Sequence, residues 1–194
     1  MDFLANLWLP ILLSGVAVFI VSSVMHMVVW PSHGPIHKND YDAMPGEDVV
    51  RAAMRDHNMK PGNYSFPHCR SLKGLEQAEL REKFNEGPVG FMTVLPNGLP
   101  AMGKALAQWF LLTLFVGAFV AYASWLAVGA TGADPRHIFR ITSTIAVLGY
   151  GVDALTDSVW KGVKWSTSLK FLFDGLLYGL ATGAVFAWQW PEAG

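Results

Sequence analysis

The chain has few charged residues, and this shortage already limits the class of protein. Only 15% of its residues are Asp, Glu, Lys or Arg, while 52% are hydrophobic; an ordinary soluble domain carries about 25% charge. The net charge is −1, and no basic stripe interleaved with aromatic residues is present. Such a composition argues against a nucleic-acid partner and is typical of a membrane protein.

Cysteine and catalytic motifs are also scarce. The single thiol, Cys69, has no second cysteine with which to form an internal disulfide. The sequence contains no nucleophile elbow, P-loop, dinucleotide fingerprint or H-E-x-x-H motif. The N-terminus also lacks the positive charge of a secretory signal, so we interpret it as a retained helix. We therefore expect a non-enzymatic membrane protein.

Four long apolar runs predict four transmembrane helices, because a helix needs about 20 apolar residues to cross the bilayer. The runs place these helices at about 7–30, 105–128, 138–160 and 168–190, with Pro10 in the first turn of the first helix. The predicted fold class is an all-α membrane protein, a four-transmembrane-helix bundle forming a single membrane domain over residues 1–194.

Residues 31–104 form the only long hydrophilic connection, and we expect them to cap the cytoplasmic end of the bundle. Two short helices are predicted there, at 47–57 and 74–86. The uncharged stretch 87–103 is either a short hairpin, signalled by Asn97-Gly98, or a segment lying on the membrane surface.

Tryptophan supports the number of spans, because its ring prefers the membrane–water boundary. All eight tryptophans lie at or beside predicted helix ends, four on each face: Trp8, Trp125, Trp188 and Trp190 on one, and Trp30, Trp109, Trp160 and Trp165 on the other.

The distribution of Lys and Arg predicts the orientation. The short connection before the last helix carries Lys161, Lys164 and Lys170, whereas the opposite face carries only Arg136 and Arg140. We therefore place the lysine-rich end and the long loop in the cytoplasm, with both termini outside.

Small residues at four-residue spacing indicate close helix packing. The last helix carries Gly175, Gly179 and Gly183, and the second helix carries the weaker pair Gly117 and Ala121. Two interpretations stay open: packing within the bundle, and a docking face for a partner membrane protein.

Ionisable residues within predicted spans are the main candidates for chemistry, because burying charge in a bilayer is costly. Asp153, Asp157 and Asp174 lie near the cytoplasmic helix ends, and His26 lies at a similar depth. Together they form a candidate site for a divalent metal ion. The alternative is structural ion pairing, with Asp157 meeting Lys161 and the other carboxylates meeting Lys164 or Lys170.

A second candidate metal site consists of softer ligands. Met25, His26 and Met27 are followed by further imidazole and thiol groups of a type that suits copper(I): His33, His37, His57, His68 and Cys69. Their spacing matches no standard metal template, and His33 and His37 lie in a Pro- and Gly-containing segment where helical spacing has no meaning.

Several strings resemble an uncharacterised bacterial family of small four-helix integral membrane proteins. They are HKNDYDAMPGEDVVRAAMR, KPGNYSFP, EGPVGFMTVLPNGLPAMGK and FDGLLYGLATGAVFAWQWP. The resemblance covers most of the chain and implies the four-span layout and a multi-pass location in the bacterial cytoplasmic (inner) membrane. It implies no activity and no catalytic residues.

The functional expectation is a non-catalytic accessory subunit of a larger respiratory or photosynthetic membrane complex, with lipids and other integral membrane proteins as partners. The alternative is a small metal- or ion-binding membrane protein using His26 and the cluster of Asp153, Asp157 and Asp174. A third option is a scaffold that binds lipid or quinone. No cofactor is required by the sequence, although contact with lipid or pigment is compatible with it.

Overall fold

The computed structural model of the chain describes residues 2–28, 37, 40–69, 76–129 and 133–191. The fold is mostly helical, and its helices and strands follow one another in this order: α1 (Asp2–Ser23), α2 (Glu47–Asp56), β1 (Gly62–Phe66), α3 (Ala78–Glu86), β2 (Gly90–Val94), α4 (Met102–Val128), α5 (Pro135–Val147), α6 (Asp153–Lys161) and α7 (Trp165–Gln189). Within the described ranges two π-helical segments interrupt this pattern: Val24–Val28 continues α1, and Leu148–Val152 joins α5 to α6.

Backbone contacts divide the chain into two compact units. The first, here called the helical unit, combines Met1–Asp40 with Ala101–Gly194. The second, the small unit, is Tyr41–Pro100. The predicted packing of the small unit as a cap on the bundle stays a prediction.

Four helices among the described residues are long and apolar enough to cross a membrane: Phe3–His26, Met102–Val128, Pro135–Lys161 and Trp165–Gln189. The prediction of four such helices is confirmed, and most of their ends lie within three or four residues of the predicted ones. This architecture is compatible with a multi-pass membrane protein.

The position of Pro10 differs from the prediction. Because α1 begins at Asp2, Pro10 lies inside the helix and not in its first turn. Proline has no N–H, so the hydrogen bond that this position would donate to the preceding turn is missing.

The four long helices of the helical unit form a closed ring of neighbours. Helix α1 packs against α4 and α7, and α5 packs against the same two helices. The apolar core lies towards the end of the bundle where α1 starts and α7 finishes, and includes Leu7, Ile11, Val120, Ile138 and Phe186. The buried ionisable side chains lie at the other end.

The glycine series of α7 packs against another helix of the same chain. A Cβ atom added at Gly175 would lie 2.4 Å from the Cα of Gly151, and one at Gly179 would lie 2.9 Å from the backbone nitrogen of Val147. Gly183 meets Ser143 in the same way. This face of α7 is therefore covered by the chain's own third apolar helix, which leaves no room there for a partner protein.

The corresponding pair on α4 also lies within the bundle. A Cβ atom at Gly117 would lie 3.3 Å from Ser14 Oγ and 3.5 Å from the carbonyl oxygen of Ile11, both on α1. Ala121, one turn further along α4, is fully buried. Small residues thus allow α1 and α4 to approach closely.

The small unit contains a two-stranded sheet that the all-α prediction omitted. Strands β1 and β2 pair in antiparallel register, with Gly62 opposite Val94 and Phe66 opposite Gly90. The paired strands are separated in sequence by α3, so the sheet is not a local hairpin around Asn97-Gly98. The predicted short helices are present as α2 and α3, although α3 begins at Ala78 and not at residue 74.

Candidate functional site

The candidate site lies in the helical unit, where α1 ends and α7 begins. His26 sits in the π-helical segment Val24–Val28 that continues α1. A π-helical turn contains one more residue per hydrogen-bonded ring than an α-helix, which changes the direction of the side chains that follow; such turns occur frequently at functional sites.

Helix α7 supplies a polar stripe to the same region. Lys170, Asp174 and Tyr178 are spaced four residues apart, so they lie one above the other on a single helix face. This stripe is adjacent to the glycine face that packs against α5. Close packing on one face therefore holds the polar groups of the next face in position.

Asp174 is the centre of the site. Its Oδ2 atom lies 2.9 Å from His37 Nε2 and 3.4 Å from His26 Nε2. The Asp174 side chain is only 2% exposed, whereas that of His26 is 37% exposed. The rings of the two histidines are 4.7 Å apart. Three ligands of two types preferred by borderline divalent metals, two imidazoles and one carboxylate, thus converge on one point.

His37 lies between two carboxylates. Its Nδ1 atom is 2.7 Å from Asp40 Oδ2, and its Nε2 atom is 2.9 Å from Asp174 Oδ2. A neutral imidazole has only one N–H, so it can donate to only one of these oxygens. Both ring nitrogens of His37 can therefore be satisfied only if a second proton is present or a metal ion binds Nε2.

Asp40 is held in place from the other direction by Lys170. The Lys170 Nζ atom donates to Asp40 Oδ1 at 2.5 Å, and the Thr167 hydroxyl lies 3.5 Å from the same oxygen. Burial raises the pKa of Asp40, but the hydrogen bonds from Lys170 and His37 outweigh it and hold that pKa below its usual value. Asp40 is therefore a charged acceptor that orients the His37 ring.

The second oxygen of the Asp174 carboxylate, Oδ1, has a different environment from Oδ2. Asp174 Oδ1 is buried and has no hydrogen-bond partner among the residues that the structure describes. A buried unpaired carboxylate oxygen is costly, so an atom without a partner here indicates a ligand.

The spacing of the three ligand atoms fits a metal ion. One atom each from His26, His37 and Asp174 lies within 4.8 Å of the other two. Metal–ligand bonds of about 2.0–2.2 Å in a tetrahedron place neighbouring ligand atoms about 3.3–3.6 Å apart. Of the observed carboxylate-to-imidazole distances, 3.4 Å lies within that range, and 2.9 Å requires a small outward movement of the His37 ring.

A cavity of about 570 Å³ opens beside this cluster. All four apolar helices contribute to its wall, which is mainly apolar and aromatic, and two residues of the cluster, His26 and Asp174, are part of that wall. The lining residues are Ser22, Ser23, His26, Met102, Ala105, Leu106, Trp109, Tyr150, Phe171, Asp174 and Tyr178.

Two residues of the predicted carboxylate cluster lie elsewhere, which corrects the composition of that cluster. Asp157 pairs with Lys161 at 2.6 Å, and Asp153 accepts a hydrogen bond from Thr156. The reason is helical geometry: the buried face of this span carries Gly151 and Ser158, and the two aspartates point away from it. Lys164 occupies the N-cap position of α7, where its backbone carbonyl accepts hydrogen bonds from the first turn.

The other predicted candidates divide between the two units. His57, His68 and Cys69 belong to the small unit, where His68 lies 3.2 Å from the hydroxyl of Ser65. His33 lies outside the described residues. Of the soft-ligand set, His26 and His37 are the ones that the structure brings together.

The tryptophans have different environments. Trp8, Trp160, Trp165 and Trp188 are each more than half exposed, as membrane-interface anchors are expected to be. Trp190 is buried, Trp125 packs against the core, and Trp109 lines the cavity. Trp30 lies outside the described residues.

Asp40 was missed by sequence reasoning, and His37 was assigned to a different set of ligands. Both lie just beyond the first span, in a segment without periodicity. The available signal was the presence of a histidine and an aspartate three residues apart, immediately after a helix that already carries an ionisable residue.

No family model, curated protein or solved structure matches the chain. The function is therefore argued from the chemistry of the site.

Proposed function

We propose that the protein is a small membrane metalloprotein in which His26, His37 and Asp174 bind one divalent transition-metal ion. The observation that carries the proposal is the convergence of two imidazole nitrogens and a buried carboxylate whose second oxygen lacks a partner among the described residues. This is the metal-binding alternative anticipated from the sequence, with His37 in place of Asp153 and Asp157.

The surroundings of His37 support metal binding over a simple hydrogen-bonded cluster. Metal-binding histidines usually donate their other N–H to a carboxylate, which fixes the tautomer and the ring orientation. Asp40 occupies that position, 2.7 Å from Nδ1, and is itself fixed by Lys170. In this arrangement the Nε2 lone pair points to the metal and every polar atom of His37 is satisfied.

The donor set indicates the class of metal. Two imidazoles and one carboxylate suit zinc or ferrous iron, and three protein ligands leave at least one coordination position open. Because His26 is partly exposed and lines the adjacent cavity, a small molecule could reach the open position of the proposed site. A closed structural zinc site would instead have four protein ligands.

Metal analysis of the purified protein tests the proposal. We expect the protein in lipid nanodiscs to retain about one equivalent of zinc or iron, as a three-ligand site should. Asp174→Asn keeps the shape of the side chain and removes the charge, and His26→Ala changes a partly exposed residue. Both should lose the metal.

His137→Ala is the matched control, because His137 is exposed and lies in the first turn of α5. It should retain the metal fully. Equal metal content in the wild-type protein, Asp174→Asn and His26→Ala would overturn the proposal.

An accessory-subunit role is the second proposal. It is favoured by an exposed aromatic ridge on α4, where Phe115 and Phe119 are each more than half exposed and their rings are 5.0 Å apart. Lipid covers such a ridge equally well, so the test is native purification in mild detergent. A monodisperse single chain without a co-purifying membrane protein would count against this role.

For location we propose the bacterial inner membrane, with the metal site near the cytoplasmic side and both termini outside. The support is the cluster Lys161, Lys164 and Lys170 at the end of the bundle that carries the site. A cysteine introduced at position 163 should not react with a labelling reagent added outside intact cells. Labelling at that position would indicate the opposite orientation.

A further inference from the structure

The cavity beside the cluster has features of a binding site that go beyond metal binding. Its volume of about 570 Å³ is that of a site for a drug-sized molecule. Each of the four apolar helices contributes to the wall, so a molecule entering from the lipid phase would be surrounded by the bundle. Met102, one of the lining residues, is 61% exposed.

Flat aromatic rings form much of the wall. The ring centres of Trp109, Tyr150 and Tyr178 are 5.8–6.2 Å from one another, and the rings are tilted or edge-on. Phe171 contributes a further ring and also contacts His37. Such surfaces favour a planar ring through offset and edge-to-face contacts, whereas an acyl chain needs only aliphatic walls.

Several polar side chains are among the residues that line the cavity. The Ser22 hydroxyl already donates to the Phe19 carbonyl and accepts from Trp109 Nε1, and the Tyr150 hydroxyl donates to the Thr113 carbonyl. The Tyr178 hydroxyl instead lies 3.2 Å from His26 Nε2.

Metal binding would change the role of that hydroxyl. If His26 Nε2 bound the ion, that nitrogen could neither donate a hydrogen bond to Tyr178 nor accept one from it. The Tyr178 O–H is then available to donate to a ligand in the cavity.

We propose that the cavity binds a lipid-soluble quinone, with its ring against the aromatic wall and one ring oxygen beside Tyr178. The position of that oxygen next to the metal rests on the proposed function, whereas the contact of the ring with the wall residues Trp109, Tyr150 and Phe171 does not. A quinone matches the three features together: a planar ring, a polar atom at its edge and an apolar tail directed to the lipid.

Calorimetric titration of the protein in nanodiscs with a decyl-substituted benzoquinone tests this inference. Leu106→Trp places an indole in the cavity wall and should lower the quinone affinity by about tenfold or more, because it occupies the space of the ring. Leu111→Trp is the matched control, since Leu111 lies on the same helix, is 63% exposed and does not line the cavity. Tyr178→Phe should weaken binding about three- to tenfold through the loss of one hydrogen bond.

Each titration is done with metal-loaded and with chelator-treated protein, so that this inference and the proposed function fail separately. Quinone binding in either form that is lost in Leu106→Trp supports the inference. A protein that binds its metal but not the quinone overturns the inference alone. Equal quinone affinity of the wild type and Leu106→Trp would also overturn it, as would oleate binding as tightly as the quinone.

Discussion

Replacement of Gly175 by alanine is the sharpest test of how the bundle is packed. The new Cβ atom would lie 2.4 Å from the Cα and 2.6 Å from the backbone nitrogen of Gly151. Ordinary carbon contacts are about 3.5 Å, so α7 and the π-helical segment opposite it must separate by about 1 Å. Both clashing atoms are backbone, and no side-chain rotation can relieve them.

The expected loss of stability follows from two opposing effects. Overpacking costs about 1–3 kcal/mol, and a contact with backbone belongs in the upper part of that range. Alanine is favoured over glycine inside a helix by about 1 kcal/mol. The steric effect is larger, so Gly175→Ala should lower the free energy of unfolding by about 1–2 kcal/mol.

Detergent-induced unfolding followed by circular dichroism in mixed micelles measures this difference. Gly103→Ala is the control: Gly103 lies in the first turn of α4, and a Cβ atom there meets nothing within 4 Å. That variant should be as stable as the wild type or slightly more stable. The packing argument would be refuted if Gly175→Ala were as stable as the wild type, or if both variants lost the same free energy.

Three further predictions concern individual side chains. Asp40→Asn should weaken metal affinity about 10–100-fold by loosening the imidazole that Asp40 orients, measured by chelator competition; an unchanged affinity would contradict this role. Asp157→Asn breaks an exposed ion pair and should leave metal content and unfolding unchanged, so a loss of metal would place Asp157 in the site. The pKa of Glu79 is held below its usual value by a hydrogen bond from Lys83, so the pairing stabilises at neutral pH and is lost as pH falls through that lowered pKa. Lys83→Met should raise the Glu79 pKa towards the ordinary value of a glutamate in a carbon-detected NMR titration, and an unchanged value would rule out the pairing in solution.

The site illustrates how far sequence reasoning reaches. His26 and Asp174 could be identified because an ionisable group inside an apolar run is expensive and therefore conspicuous. Asp153 and Asp157 satisfied the same criterion but lie on the outward face of their helix. The cost of burying charge indicates that a residue lies within a span, but it does not indicate the direction in which the side chain points.

The position of His37 in the site could not be predicted from the sequence. It lies in a segment with proline and glycine, where no periodicity relates it to a helix face. Its contact with Asp174 joins residues 137 positions apart in the chain. Only the tertiary fold brings these two residues together.

The sequence by itself determined the four apolar helices, because the cost of an unsatisfied backbone in lipid requires long uninterrupted runs that are visible in composition alone. It also indicated close packing through the four-residue spacing of Gly175, Gly179 and Gly183. The tertiary structure decided which helix covers those glycines and how the π-helical segments direct His26 and Tyr150. It also decided that the carboxylate of Asp174 meets two imidazoles and not a lysine. These outcomes depend on helix rotation and long-range contacts, which local residue patterns do not specify.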